Sequence, residues 1–469
     1  MIKKIIVFLS AVMLAGCATM APKYSRPALP VPGSWPGGPA YKNTASKPAK
    51  ALADIPWRKF FLDQNLRNII SLALKNNRDF RIAALNIARS RAQYQIQRSN
   101  LFPKIDAFAD ADLQGVPREL SATGYNETAQ EYDVGLGLSS YELDLFGRIR
   151  SLKKQALNQY FATEQARRSV QISLVAQTAS DYLNLAADYE LYRLAEDTLS
   201  TQQAYYRLVK SRFEDGIASA LDVQQAKTSV EAARFDIAHY MTVAAQDENA
   251  LNLVAGAPVP GKLLPRELSD RLTPLEDITP GLPSEALLNR PDILQAEDLL
   301  RAANANIGAA RAAFFPRITL VSSIGLGSDD LAGLFKPGSF AWKFAPQITV
   351  PIFDAGSNRA NLKVSEIDKK IAVADYEKAI QTAFREVADA LAERGTINEQ
   401  VAAQQALTDA YAKSYSLSKA RYEQGVDSYL NVLDSQRFLY AARQNLIIAH
   451  LARLTNLVTL YKVLGGGAI

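Results

Sequence analysis

The chain has 469 residues, 48% hydrophobic and 22% charged, with a formal net charge of +5 and a pI near 8.9. That composition can bury a large core and excludes general disorder. Loss of Lys3 and Lys4 with a leader segment leaves 5 − 2 = +3, too weak a bias for a nucleic-acid surface.

The opening MIKKIIVFLSAVMLAGC has a basic start, an apolar run from Ile5 to Leu14 and small residues before Cys17. This is the layout of a secretory signal over 1–16, with an apolar run too short to span a membrane as a stable helix. Leu14-Ala15-Gly16-Cys17 resembles a bacterial lipobox, in which Cys17 becomes the acylated first residue; a signal peptide that merely contains a cysteine is the plain alternative. Ala18, where an Asp would imply retention elsewhere, implies by the same resemblance sorting to the outer membrane. Several acyl chains at ~0.8 kcal/mol per buried CH2 make a firm anchor. An acylated Cys17 leaves no thiol for disulfides or catalysis. Residues 17–49 read as the lipidated N-terminus and a proline-rich, extended tether.

From there the chain can be laid over itself. LFPKI (101–105) matches FFPRI (314–318), SLALKNNRDF (71–80) matches SEALLNRPDI (284–293), and Gly147 and Arg150 match Gly356 and Arg359. The first repeat covers 50–255, the second 284–464, with a Pro/Gly-rich linker at 256–283 and a tail at 465–469. In each repeat a helix of roughly 30 residues is expected to end at Pro103 or Pro316, as a helix breaker dictates. The period then changes to two, which predicts strands at 104–114 and 131–145 in the first repeat and 317–328 and 341–353 in the second. Apolar Ala107, Ala109, Ala111 and Leu113 alternate with Asp106, Asp110 and Asp112; Trp342, Phe344 and Ile348 continue the pattern in the last strand. Strands of this length with one apolar face match transmembrane β-barrel strands. A soluble sandwich is the bland alternative, but four strands neither close a barrel nor build a large sandwich. Pro346 weakens the last assignment, because proline removes a ladder donor.

Long helices follow, over 148–213 and 220–254, then 357–424 and 429–463. No proline or glycine interrupts 148–213, and only Gly395 interrupts 357–424. At ~1.5 Å per residue each longer helix would reach about 100 Å, beyond what one globular core can support. Phe384, Val387, Leu391, Val401, Leu407, Tyr411 and Leu417 recur at three- and four-residue steps, which predicts a coiled-coil assembly of several chains. A homo-oligomer satisfies both demands: strands pool into one barrel and helices into one tube. Three copies would give about twelve strands, within the range of membrane barrels.

The doubled architecture, LFPKI/FFPRI, YELDLFGRIR, RYEQGVDSYLNVLDSQR and the closing LYKVLGGG together resemble the TolC-like outer membrane factors, specifically the lipoprotein branch that serves resistance-nodulation-division (RND) pumps. The resemblance implies an α+β membrane protein: a trimeric, 12-stranded β-barrel continuous with a long α-helical coiled-coil barrel, built from two structural repeats. It implies a homotrimer in outer membrane lipid, girdled at an equator formed from 50–65, 256–283 and the C-terminal tail. A periplasmic membrane-fusion adaptor would dock on its tip and couple it to an inner-membrane RND-type pump.

The phrases SRFEDGIASALDV and ARYEQGVDSYLNV then gain a meaning. Gly216 and Gly425 lie where each long helix must reverse, and glycine tolerates the left-handed backbone such a turn needs. By the resemblance both turns form the tip that narrows and meets the adaptor. Leu430 and Asp434 share one helix face and match the apolar and acidic gate rings of this branch; an ordinary seam residue and a solvated charge are the plain alternatives. Asp222 and Tyr422 match a latch that holds such tips shut. Asp427 stands where TolC itself has Arg, and Asn431 where an acidic residue is expected, so closure by Leu430 packing is expected in place of an Arg–Asp latch there. Arg212 and Arg421, four residues before the glycines, are expected to bond helix ends or touch the adaptor.

His239 and His450 stand alone on their helices, and neither a P-loop nor Gly-x-Ser-x-Gly occurs. The expectation is a passive channel with no enzyme activity, cofactor, metal or nucleic-acid partner. An exit duct for type I protein secretion and a lipid-anchored periplasmic scaffold are the competing readings.

Overall fold

The structure, a computed structural model, describes residues 19–42, 55–122, 124–269, 272–273 and 283–466. The signal segment, Cys17 and parts of the tether, linker and tail lie outside the described residues. The elements run α1 (Trp57–Phe60), α2 (Gln64–Asn76), α3 (Arg78–Ser99), β1 (Asp106–Val116), β2 (Glu127–Leu143), α4 (Arg148–Glu214), α5 (Ala220–Ala255), α6 (Pro283–Leu288), α7 (Pro291–Ala312), β3 (Arg317–Ser328), β4 (Phe340–Thr349), α8 (Ser357–Glu423) and α9 (Tyr429–Val463). The chain divides into two compact units: one holds 1–27, 86–163 and 295–376, the other 28–85, 164–294 and 377–469.

The first unit contains the sheet, in the order β1-β2-β3-β4 with every pair antiparallel. The register places Ala109, Val134, Leu326 and Phe340 in one row, and Ala107, Leu136, Ile324 and Trp342 in the next on the same face. That face is apolar across all four strands, and Leu136, Ile324, Trp342, Phe344 and Ile348 on it are more than half exposed. The opposite face carries Asp106, Asp110, Asp112, Asp133, Ser323 and Lys343. Gly137 on that face is overlain by the Phe108 ring, 3.2 Å from where a Cβ would sit. A β-bulge lies between Leu138 and Tyr141, and among the described residues the outer edges of β1 and β4 have no partner strand.

Some strand ends differ from the periodicity. β2 begins earlier, at Glu127, and stops at Leu143 because Asp144 leaves the ladder to cap α4: its carboxylate accepts from the backbone N–H groups of Ile149 and Arg150. Gly147, at φ +74°, makes the corner. β4 stops at Thr349, ahead of Pro351 and a second corner where Asp354 accepts from the backbone N–H of Gly356 and of Asn358. Pro346 is accommodated because β4 is an edge strand. Gly327 N–H donates to Ser339 O at 2.8 Å, so by ladder alternation the nitrogen of Pro346 faces away from β3.

The expected helices of about 30 residues are each divided. In the second unit Asn77 ends α2 and restarts the chain as α3: its Oδ1 accepts from Phe80 N–H and its Nδ2 donates to Val254 O. Before α7 the break falls at Arg290-Pro291, where proline at the first helical position has no N–H to lose. α3 and α7 stop at Ser99 and Ala312, four residues before Pro103 and Pro316.

Packing in the second unit centres on Phe60, Phe61 and Tyr461, all fully buried, with Phe60 and Tyr461 rings 4.2 Å apart. Asp63 caps α2, which buries Leu66, Ile69, Ile70 and Ala73. Of the apolar positions read along α8, Val387, Leu391 and Val401 are buried, whereas Leu407 and Leu417 are about half exposed. Arg290 donates to Val463 O and pairs with Glu386 and Asp292, which fixes the end of α9.

The N-terminal segment is extended and docked. In the first unit Asn304 Nδ2 donates to Pro22 O. Glu297, almost wholly buried, accepts from Tyr24, from Arg26 through two bonds of 3.0 and 2.6 Å, and from Arg301. In the second unit Trp35 stacks on Phe384 and the Ala40 carbonyl lies against Gly395. That contact explains the lone glycine in α8: a side chain there would strike the backbone of the docked segment.

Candidate functional site

The two helix reversals belong to the second unit. Each doubled phrase closes its helix by the same pair of bonds. Gly216 N–H donates to Phe213 O and Ile217 N–H to Arg212 O; Gly425 N–H donates to Tyr422 O and Val426 N–H to Arg421 O. This is the Schellman arrangement, in which the glycine adopts the left-handed conformation; φ is +75° at Gly216 and +73° at Gly425. Arg212 and Arg421 thus offer their carbonyls to the turn through the backbone.

Their side chains differ. The Arg212 guanidinium lies over the Tyr422 ring, 4.7 Å from its centroid. Arg421 pairs with Asp427 through bonds of 2.5 and 3.3 Å, and this hydrogen bond holds the Asp427 carboxyl below its usual range. An Arg–Asp contact is therefore present at the second tip. It joins residues of one turn, with Arg421 supplying the cation in place of an Arg at position 427.

The return helices also diverge. Ser219 and Asp222 form a capping box at the start of α5, the Asp222 carboxylate accepting from Ser219 N–H and Oγ–H. At the start of α9 the corresponding position is Asn431, and Ser428 makes no side-chain cap bond. Asp222 is thus engaged by its own helix terminus.

Between the hairpins lies a cluster that the spacing did not reveal: Tyr205, Val209, Ala226, Tyr422, Tyr429, Val432 and Leu433, with Tyr415 packed against it. Burial pushes the Tyr429 hydroxyl up to about 12. Tyr422 sits in this cluster, 8% exposed, with its ring 5.7 Å from that of Tyr429. Four tyrosines drawn from α4, α8 and α9 were the available sequence signal. Leu430 lies outside the cluster at 46% exposure. Asp434 is half exposed and 3.8 Å from Arg437. Ile217, Leu221 and Val426 are also open to solvent, so both reversals present apolar side chains beside rigidly closed backbone turns. Among the described residues no group of three or more His, Cys, Asp or Glu is arranged to hold a metal ion.

The comparisons agree with one another. A sequence model of the outer membrane efflux protein family matches residues 69–257 and 282–466. The toluene efflux pump outer membrane protein TtgC of Pseudomonas putida is 50% identical over 460 residues, 98% of this chain and 94% of that protein. A crystal structure of a membrane protein from Pseudomonas aeruginosa superposes with a TM-score of 0.90 at 44% identity, covering 96% of this chain and 98% of that one. The open state of the MtrE outer membrane channel of Neisseria gonorrhoeae gives 0.86 at 39% identity, covering 96% and 99%. These are families of membrane transport proteins, not of enzymes. On this evidence the chain belongs to the outer membrane efflux protein family.

Proposed function

We propose that the chain forms a homotrimeric exit duct in the outer membrane, passively conducting small toxic compounds delivered by an inner-membrane RND-type pump through a periplasmic membrane-fusion adaptor. The observation that carries this reading is the four-stranded sheet with one predominantly apolar face and, among the described residues, two unpartnered edges. In lipid an open edge leaves backbone donors and acceptors without partners, so such a sheet must be closed by other strands. Three copies make a barrel of about twelve. The same family model matching twice along the chain supports two structural repeats. Half-exposed Val364, Ile371 and Leu417 on α8 supply surface for neighbouring helices in a coiled-coil barrel.

Acylation of Cys17 anchors the chain in this reading. The two reversals form the periplasmic tip, Gly216 and Gly425 with Arg212 and Arg421 facing the adaptor. Leu430 supplies an apolar constriction ring and Asp434 an acidic one, since threefold repetition turns each half-exposed side chain into a ring. Asp222, Tyr422 and Asp427 serve the closed state by stiffening the turns from within each protomer.

Single-channel conductance of the purified mature protein in planar bilayers tests the reading. Small wild-type conductance that rises in Leu430→Ala, with cation selectivity lowered in Asp434→Ala, is expected. No conductance in any variant, with protein recovered only in soluble form, would sink the duct in favour of a periplasmic scaffold.

A further inference from the structure

The polar face of the sheet is electrically lopsided. Asp110 stands directly opposite Asp133, and Asp112 opposite Glu131, an arrangement of like charges that destabilises a ladder. Arg317 and Lys343 are the only basic residues in the four strands, and Arg317, at the first position of β3, is engaged by Glu142. Among the described residues Lys343 makes no ion pair. It lies on β4, at the far edge of the sheet from β1.

The register links these edges. Asp106, Gly137, Ser323 and Lys343 are successive partners in one row across the sheet. Membrane barrel strands tilt by roughly 35–45°, and with strands ~4.8 Å apart rising ~3.3 Å per residue a closed barrel staggers by about four to six residues over four strands. Only an even stagger keeps inward side chains inward, which leaves the values four and six of that range. Shifted one way, every residue of β4 runs past the start of β1 and finds no partner. Shifted the other way by six, Phe340–Thr349 pair along their whole length with residues 106–115 of the next copy, and Lys343 meets Asp112. A shift of four sets Lys343 against Asp110. In either case the second carboxylate is a diagonal neighbour within reach of a long side chain.

We infer that Lys343 pairs with the Asp110/Asp112 carboxylates of an adjacent copy of this chain, and that this contact sets the register at which β4 of one protomer joins β1 of the next. The inference rests on the trimeric-barrel reading. Pro346 gives the side chains added weight in it, because its nitrogen faces the seam without a proton to donate.

The test is cross-linking in the full, membrane-embedded chain. Lys343→Cys is combined in turn with Asp112→Cys, Asp110→Cys and Asp106→Cys, each single variant serving as control, and a short bismaleimide is added. Linked dimers and trimers with position 112 or 110, and none with 106, are expected. Linking only at 106, or at none of the three while native mass spectrometry still gives a trimer, overturns the register and leaves the trimer standing. A monomer by native mass spectrometry overturns both. Independently, Lys343→Asp should lose the SDS-resistant trimer and Asp112→Lys or Asp110→Lys in the same chain should recover it; loss that neither reversal recovers counts against the pairing.

Discussion

Gly135 of β2 and Gly325 of β3 are direct cross-strand partners, and a Cβ on Gly135 would lie 2.5 Å from the Ile324 carbonyl oxygen and 2.9 Å from Gly325 Cα. Both obstacles are backbone, so the strands themselves would have to part. Gly135→Val should therefore lower stability by about 1–3 kcal/mol, as overpacking does. Gly137→Ala, two residues along the same face, meets the Phe108 ring and, at ordinary contact distance, the Ser322 carbonyl oxygen and should fold nearly as the wild type does. The temperature at which the folded band is lost on semi-native gels compares the two, and equal behaviour would refute the close-approach account.

The tip glycines are required for conformation, since no atom lies within 4 Å of a Cβ on either. Gly216→Ala and Gly425→Ala should each cost about 1–2 kcal/mol from left-handed strain alone. Amide exchange at residues 212–220 and 421–430 should rise in the respective variant and stay unchanged in the other hairpin.

The Arg421–Asp427 pair lies at the surface, with Arg421 exposed and Asp427 partly so, and its electrostatic share is screened by salt. Asp427 has a lowered folded pKa, so its contribution is present above the unfolded value of about 3.9 and fades as pH falls through the folded one. Asp427→Asn should reproduce at neutral pH the small loss of turn order that acid produces in the wild type. Exchange at Val426 N–H reads it, and no difference between pH 7 and acid in the wild type would contradict the assignment.

Asp188 on α4 behaves in the opposite sense. Burial, then a hydrogen bond that the protonated Asp188 donates to Asp247 and the charge of Asp247, push the Asp188 carboxyl up to about 7. Asp181 is raised as well, by burial and then by Asp247. A folded pKa above the unfolded one gives stability that is complete below about pH 3.9 and disappears as pH rises through about 7. The melting temperature of the wild type should therefore fall from about pH 5 to about pH 8. Asp188→Asn, which still donates to Asp247, should flatten that slope, and an unaltered slope would show that other groups cause it.

Glu297 holds Tyr24, Arg26 and Arg301 in one contact. Bonds to a charged acceptor contribute about 1.5–3 kcal/mol each, so Glu297→Ala should free the N-terminal segment. Limited proteolysis should then cut between residues 20 and 30 of the variant and spare the wild type, whereas equal cutting would mean the segment is held elsewhere.

Much of this was legible in the residues. Alternation by two across 317–328 placed β3, and the absence of glycine and proline placed α4 and α8, because these patterns reflect local backbone preference. RFEDGI and RYEQGV announced the reversals, since a left-handed helix terminus selects glycine. The gaps were of another kind. Asn77 interrupts a continuous helical pattern because Val254, 177 positions away, offers its carbonyl. Gly395 stands alone within α8 because the Ala40 carbonyl, far away in the chain, lies against it.

By itself, then, the sequence determined the elements, their order, their duplication and the family, all of which depend on neighbours along the chain. Only the tertiary structure decided which partners they found: Glu297 with the N-terminal segment, Tyr422 beneath Arg212, Asn77 with Val254, and Asp106 in one row with Lys343. Such pairings depend on distances between residues remote in the chain, and no local preference encodes them.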